Sequence, residues 1–398
     1  MQTTAMNRRI YLDNAAATPL DPRVREVLQT HYESTYGNAG ALHAEGVTAH
    51  DIVETARHTI ARSIDARPHE VTFTSGGTEA NNLAILGTVE RHLNEGKRHE
   101  DLHLITTTVE HGSVLECMQH LEKRGARVSY MPVDREGFVC MDELEGALTS
   151  NTILISIILA HNEIGTIQHV HDITRIIRRH TPIDLHPVIH TDASQAPAWI
   201  PCAPQSLGVD LMTLDAQKLY GPKGIGILFH TSTATPAPIL HGGAAEHPRP
   251  GTPPTALIAA CAKAFELAAT ERASYVDTVA RLRDDAIAYL QEAIPGAELN
   301  GATGVNRLPN NINLSFPGLD AEELVLRLDA AGIAASTRSA CLTSAAPGSY
   351  VVRALGKASS VATSAARLSL SRYSTDTDVR FACETLRDIA QTLYTQNT

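Results

Sequence analysis

The 398 residues, 43% of them hydrophobic, suffice for a large buried core and two or three structural units that share one body. With 33 basic residues against 44 acidic ones the formal charge is −11, and no long run of one sign occurs, so the footprint of a direct nucleic-acid or anionic-membrane binder is missing. No stretch approaches the roughly 20 apolar residues of a membrane helix. The N-terminus, MQTTAMNRRIYLDNAAATP, lacks the apolar segment of a signal peptide, which reads as a cytoplasmic protein. Cys117, Cys140, Cys202, Cys261, Cys341 and Cys383 form no CxxC pair, which fits reduced thiols and argues against a disulfide framework or a structural zinc site.

Between residues 70 and 230, short β-branched runs alternate with helical patterns: VTFTS, LHLITTT, RVSYMPV, TILISIILA, VIHTDA, LMTLD and GILFH. That rhythm predicts a mostly parallel sheet buried between helices, with its chemistry at the carboxyl ends of the strands. The Pro/Gly-rich stretch TPAPILHGGAAEHPRPGTPP (235–254) breaks the pattern ahead of a long helical segment from about Thr255 to Ala293. Beyond it NNINLSF, GIAAS and ARLSLS are strand-like and alternate with helices, the last opening at STDTD with Thr375 or Asp376 as its cap. This predicts a smaller α+β unit.

Four segments carry candidate chemistry. FTSGGTEANN (73–82) is a strand, a glycine pair and a helix start, so the Gly77 and Thr78 amides and the Thr78 hydroxyl can face a phosphate; a plain strand-to-helix turn is the competing reading. TTVEHGSV places His111 after a strand, HTDASQAP ends a strand with Asp192 ahead of Gln195, and LDAQKLYGPKGIG offers Lys218 after another. Each is weak alone, since a strand-end Asp is a common cap and a lysine is usually a solvated charge. Together they supply what pyridoxal 5'-phosphate requires: a phosphate cradle, a ring-stacking imidazole, a carboxylate for the pyridine nitrogen and a primary amine. No GxGxxG follows the first strand, which excludes a nicotinamide site.

At this point the sequence resembles the cysteine desulfurases of the class V aminotransferase superfamily. The resemblance runs through YLDNAAATPLDPRV, FTSGGTEANNLAI, TTVEHGSV, NEIGTIQ, TDASQ, KLYGPKGIGIL, RPGT, NINLSF, SACLTS and RLSLSRYST. It implies an aspartate-aminotransferase-like α/β fold: a large domain (18–260) with a mostly parallel seven-stranded sheet, and a small α+β domain (1–17 and 261–398) carrying a catalytic-cysteine loop. It further implies that Lys218 is the Schiff-base lysine, Asp192 the pyridine-nitrogen partner, Gln195 the hydrogen bonder to the ring hydroxyl and His111 the stacking and proton-shuttling residue. Gly77, Thr78 and Gln217 fall at the phosphate. Asn162 and Arg367 face the substrate, and the arginine suits a bidentate grip on a carboxylate. Thr252 reaches the phosphate of a neighbouring subunit in a homodimer. The reaction so implied converts L-cysteine to L-alanine, leaves a persulfide on Cys341 and passes the sulfur to an acceptor protein.

Several positions depart from the family pattern. Asp215 and Gln217 stand where serine and histidine bind the phosphate, Ala244 and Ala245 replace a Gln-Glu pair, and Arg338 and Ser371 replace glycines. An ionised Asp215 accepts hydrogen bonds and repels a phosphate dianion, so it either points away or loosens the cofactor; a cap on the turn that carries Lys218 is the competing reading. The seven residues between Cys341 and SYVVRALG match the longer-loop desulfurases, and GNAG is similar to desulfurases of DNA phosphorothioate modification. A lyase, including a selenocysteine lyase, or an aminotransferase that does not use Cys341, and a degenerate sulfur-pathway scaffold, are the alternatives.

Overall fold

The computed structural model describes residues 9–183, 186–243, 248–337 and 348–396; Ala244, Ala245, Arg338 and Cys341 lie outside the described residues. A short strand β1 (Ile10–Tyr11) leads into helices α1 (Pro22–Ser34) and α2 (Ala44–Ser63). The seven β-branched runs then form β2 (Val71–Thr74), β3 (His103–Thr107), β4 (Arg127–Met131), β5 (Thr152–Ser156), β6 (Val188–Asp192), β7 (Leu211–Asp215) and β8 (Gly226–His230). They hydrogen-bond in the order β2-β8-β7-β6-β5-β3-β4, and among them β8 alone runs against its neighbours. Every residue of β2, β3, β5, β7 and β8 is buried, as a sheet covered on both faces demands.

Helices α3 (Gly77–Asn94), α4 (Gly112–Lys123), α5 (Met141–Ala147), α6 (Val170–His180) and α7 (Pro204–Leu207) connect these strands. Alternation along a strand sends neighbouring side chains to opposite faces. Leu104 and Leu154 accordingly join Ile85, Val114 and Met118 of α3 and α4, whereas Ile105 and Ile155 enter the main core on the other face.

The helix expected from about Thr255 is α8 (Thr255–Ala293), 39 residues or roughly 58 Å at 1.5 Å per residue. The expected division between residues 260 and 261 falls inside it. It packs on α1 and α2 and continues to the second sheet. That part holds β9 (Glu298–Leu299), β10 (Asn311–Ser315), α9 (Ala321–Ala330), β11 (Ile333–Ala334), α10 (Tyr350–Ala354), α11 (Ser359–Ala362), β12 (Ala365–Ser369) and α12 (Asp376–Gln396). Strands β12, β10 and β9 form an antiparallel sheet, while β11 pairs in parallel with β1. Thr375 caps α12, its hydroxyl accepting from the Asp378 amide at 3.2 Å. One apolar cluster runs from Ile105 and Leu214 through Phe265 and Leu290 to Ile312, Leu368 and Leu386, so both sheets share a core. Among the described residues no helix is long and apolar enough to cross a membrane.

Candidate active site

Strand ends deliver most of the predicted residues to one cavity of about 190 Å³, lined by Gly77, Thr78, His111, Asn162, Asp192, Gln195, Gln217 and Lys218 together with Asn81, Ser113, Ser194 and Asp215. Lys218 ends a short 3-10 turn after β7 that Asp215 caps through the Gln217 amide at 3.2 Å. Its Nζ donates to the carbonyls of Ala15 and Ala16 at 3.1 and 2.6 Å, and Gln195 Nε2 donates to the same Ala15 carbonyl at 2.9 Å. The segment YLDNAAATP thus covers the lysine turn, fixed further by Thr18 Oγ1 donating to the Gln217 carbonyl at 2.9 Å. Two residues beyond the lysine, Tyr220 adopts a left-handed φ of 62°. Its ring lies 4.1 Å from the Arg372 guanidinium carbon, and Arg372 pairs with the buried Asp21.

Asp192, at the end of β6, is 5% exposed and held by three donors: the Ser194 amide (2.9 Å) and hydroxyl (2.6 Å) at Oδ1, and Asn81 Nδ2 (2.8 Å) at Oδ2. The second Asn81 amide hydrogen meets Ser113 Oγ at 2.8 Å, and that hydroxyl lies 2.8 Å from His111 Nδ1. The Ser113 amide also donates to Nδ1 at 3.2 Å, so Nδ1 is an acceptor and the ring proton sits on Nε2. The neighbouring Glu110 is buried, which pushes its carboxyl up to about 8 against the opposing Ile158 amide and Thr107 hydroxyl, and the charge of Asp192 adds to the rise. Asp192, beside it, faces the cavity.

Asn162 reaches the cavity on a turn organised by His161, whose Nε2 donates to the Val109 carbonyl at 2.7 Å and whose Nδ1 accepts from the Glu163 amide at 3.0 Å. Arg367, on β12 and 2% exposed, donates to the Asn162 carbonyl at 3.0 Å and pairs with Asp13 at 2.7 Å. Its Nε is buried without a partner among the described residues. Ser336, the last bridged residue before the segment containing Cys341, exchanges both backbone hydrogen bonds with Arg367. On the far side of that segment Ser349 caps α10 and bonds Glu163, next to Asn162. Thr252 is exposed and outside the cavity.

Residues 10–381 match the family described as Aminotransferase class-V. The chain belongs to that family. The class-V chain is 40% identical over 391 residues to the cysteine desulfurase IscS of Dictyoglomus turgidum, covering 98% of its own length and 96% of the relative. A solved structure titled NifS-like protein superposes with a TM-score of 0.88 at 34% identity, over 97% of this chain and 100% of that one. Another, SspA in complex with cysteine, reaches 0.75 at 30% identity over 92% and 100%.

Class-V aminotransferases depend on pyridoxal 5'-phosphate, and the donor set here fits that group. Lys218, Asp192, Gln195 and His111 converge on one cavity, and the end of α3 presents amide donors at the position of Gly77 and Thr78. One residue runs against the fit. Asp215 does not point away: its Oδ2 accepts from the Gly77 amide at 3.2 Å and from Gln217 Nε2 at 2.9 Å, while Oδ1 caps the lysine turn. Sequence reasoning did not single out Asn81, Ser113, Ser194, Ala15 and Ala16 individually. Asn81 and Ser113 lie within quoted motifs, but the contacts of Asn81 to Asp192 and Ser113 join residues 111 and 32 positions apart and carry no local signal.

Proposed function

We propose that the protein is a pyridoxal-phosphate-dependent cysteine desulfurase that converts L-cysteine to L-alanine and takes the sulfur on Cys341 as a persulfide, before passing it to an acceptor protein. The observation that carries this reading is the meeting of Lys218, Asp192, Gln195 and His111 at one cavity beside Arg367 and Asn162. Bound there, the cofactor supplies an electron sink for charge developing at an amino acid's α-carbon. Lys218 would hold the cofactor and move the α-proton at Nζ, Asp192 would keep the ring nitrogen protonated, Gln195 would donate to the ring hydroxyl, and His111 would stack on the ring with its proton on Nε2. Gly77, Thr78 and Gln217 serve the phosphate. Arg367 grips the substrate carboxylate, with Asn162 beside it.

The other thiols support Cys341 as the acceptor of sulfur. Burial pushes Cys117, Cys202 and Cys383 up to about 12 and raises Cys261 as well, and Cys140 is also raised, first by desolvation. Attack on sulfur needs a thiolate, and none of these five holds one in quantity at neutral pH. The exposed Thr252 suits a contact to a second subunit's phosphate in a cytoplasmic homodimer, with residues 18–260 as the cofactor domain.

Incubation with L-cysteine, trapping of protein persulfide and mapping of the carrier thiol test the reading. Cys341 is expected to carry the label, and Cys341→Ala is expected to release no sulfide while keeping the cofactor's visible absorbance. Sulfide release by that variant at the native rate would instead mean a lyase that does not use this thiol.

A further inference from the structure

We propose that Asp215 is a resident anion at the phosphate end of the cavity and sets how tightly this protein holds its cofactor. The inference rests on reading the cavity as a pyridoxal-phosphate site. Asp215 is 5% exposed and lines the cavity beside Gly77, Thr78 and Gln217. Its carboxylate takes the Gly77 amide, the Gln217 amide and the Gln217 side-chain amide, three donors in all. A Cβ on Gly77 would lie 3.2 Å from Asp215 Oδ2 and 3.2 Å from Ser194 Oγ, so the carboxylate sits closely against the backbone and a side chain there would crowd it. Gly77 opens the 18-residue helix α3, whose first amides lack partners within the helix and whose positive dipole end favours negative charge.

A carboxylate and a phosphate competing for the same amides repel one another, and each claims donors the other needs. Gln217, the other substituted position, directs its donor at Asp215 and so stabilises the resident anion. The phosphate consequently contributes less to binding than in a site without this carboxylate. Phosphorylated and unphosphorylated rings are discriminated weakly, and the cofactor exchanges readily.

The test compares wild type, Asp215→Asn and Asp215→Ser as apoproteins. Both variants keep an oxygen that can cap the lysine turn. Each is titrated with pyridoxal phosphate and with pyridoxal, which lacks the phosphate. Asp215→Asn is expected to bind pyridoxal phosphate roughly tenfold more tightly, a change of about 1.4 kcal/mol, with pyridoxal affinity unchanged. Inorganic phosphate is expected to raise the Tm of both variants more than that of wild type. Equal pyridoxal phosphate affinity in wild type and variants, or an equal gain for pyridoxal, would overturn the proposal. If neither wild type nor variants bind pyridoxal phosphate, the cofactor reading itself fails, and the phosphate arm still judges Asp215: equal Tm shifts count against it.

Discussion

Asn81 is 1% exposed and directs its two amide hydrogens at Asp192 and Ser113, joining the carboxylate to the imidazole through one planar group. Removing it strips a donor from a nearly buried carboxylate, and lost partners of charged groups cost about 1–3 kcal/mol. Asn81→Ala should therefore lower stability by roughly that amount and release cofactor faster, read from denaturant midpoints and from dialysis of the loaded protein. Asn81→Asp should be worse, because a second carboxylate beside Asp192 adds like-charge repulsion. A variant Asn81→Asp as stable as Asn81→Ala would show that the two side chains are not coupled. Lys218, Asp192 and His111 were legible because their residue types are rare in that combination at strand ends. Asn81 was not, because an asparagine in a helix looks the same whether it faces solvent or a carboxylate 111 positions away.

The turn between β2 and α3 depends on close backbone contact. Gly76 has a φ of 153°, and a Cβ on Gly226, the first residue of the antiparallel strand β8, would come within 2.6 Å of the Gly76 carbonyl carbon. The edge of β8 thus presses the turn that aims the Gly77 amide at the cavity, next to Asp215, with which Gly226 is paired in register. Gly226→Ala forces two backbones apart, and overpacking of this kind costs about 1–3 kcal/mol. The expected outcome is a lower Tm and weaker cofactor retention together; a variant with unchanged Tm and retention would contradict this packing. The strands themselves were readable from β-branched runs, as was α8 from its length. The pairing of Ile333 and Ala334 with β1, far earlier in the chain, was not, because register partners are chosen by the fold and not by local pattern.

Across the whole molecule, buried titratable groups set opposing pH trends. Burial pushes His103, His161 and His190 down to about 4. Their stabilisation is present above the ordinary value of 6.5 and is lost as pH falls toward 4. Glu110 has the opposite sign: raised from 4.5 to about 8, it stabilises fully below 4.5 and its contribution is lost as pH rises through 8. Three histidine protons against one on Glu110 make stability climb from about pH 4.5 to 6.5 and then decline toward 8. Denaturant midpoints across this range should peak near 6.5, and Glu110→Gln should flatten the upper limb; a midpoint rising steadily from 7 to 9 would contradict the assignment. By itself the sequence determined the α/β class, the order of the seven sheet strands along the chain, and the residue types that make pyridoxal chemistry, because periodicity and motif spacing are local properties. Only the tertiary structure decided that Asp215 turns into the Gly77 amide, that Asn81 bridges Asp192 and Ser113, and that Arg367 is paired with Asp13. These contacts join residues 32 to 354 positions apart, and their geometry exists only once helices and sheets have packed around a common core.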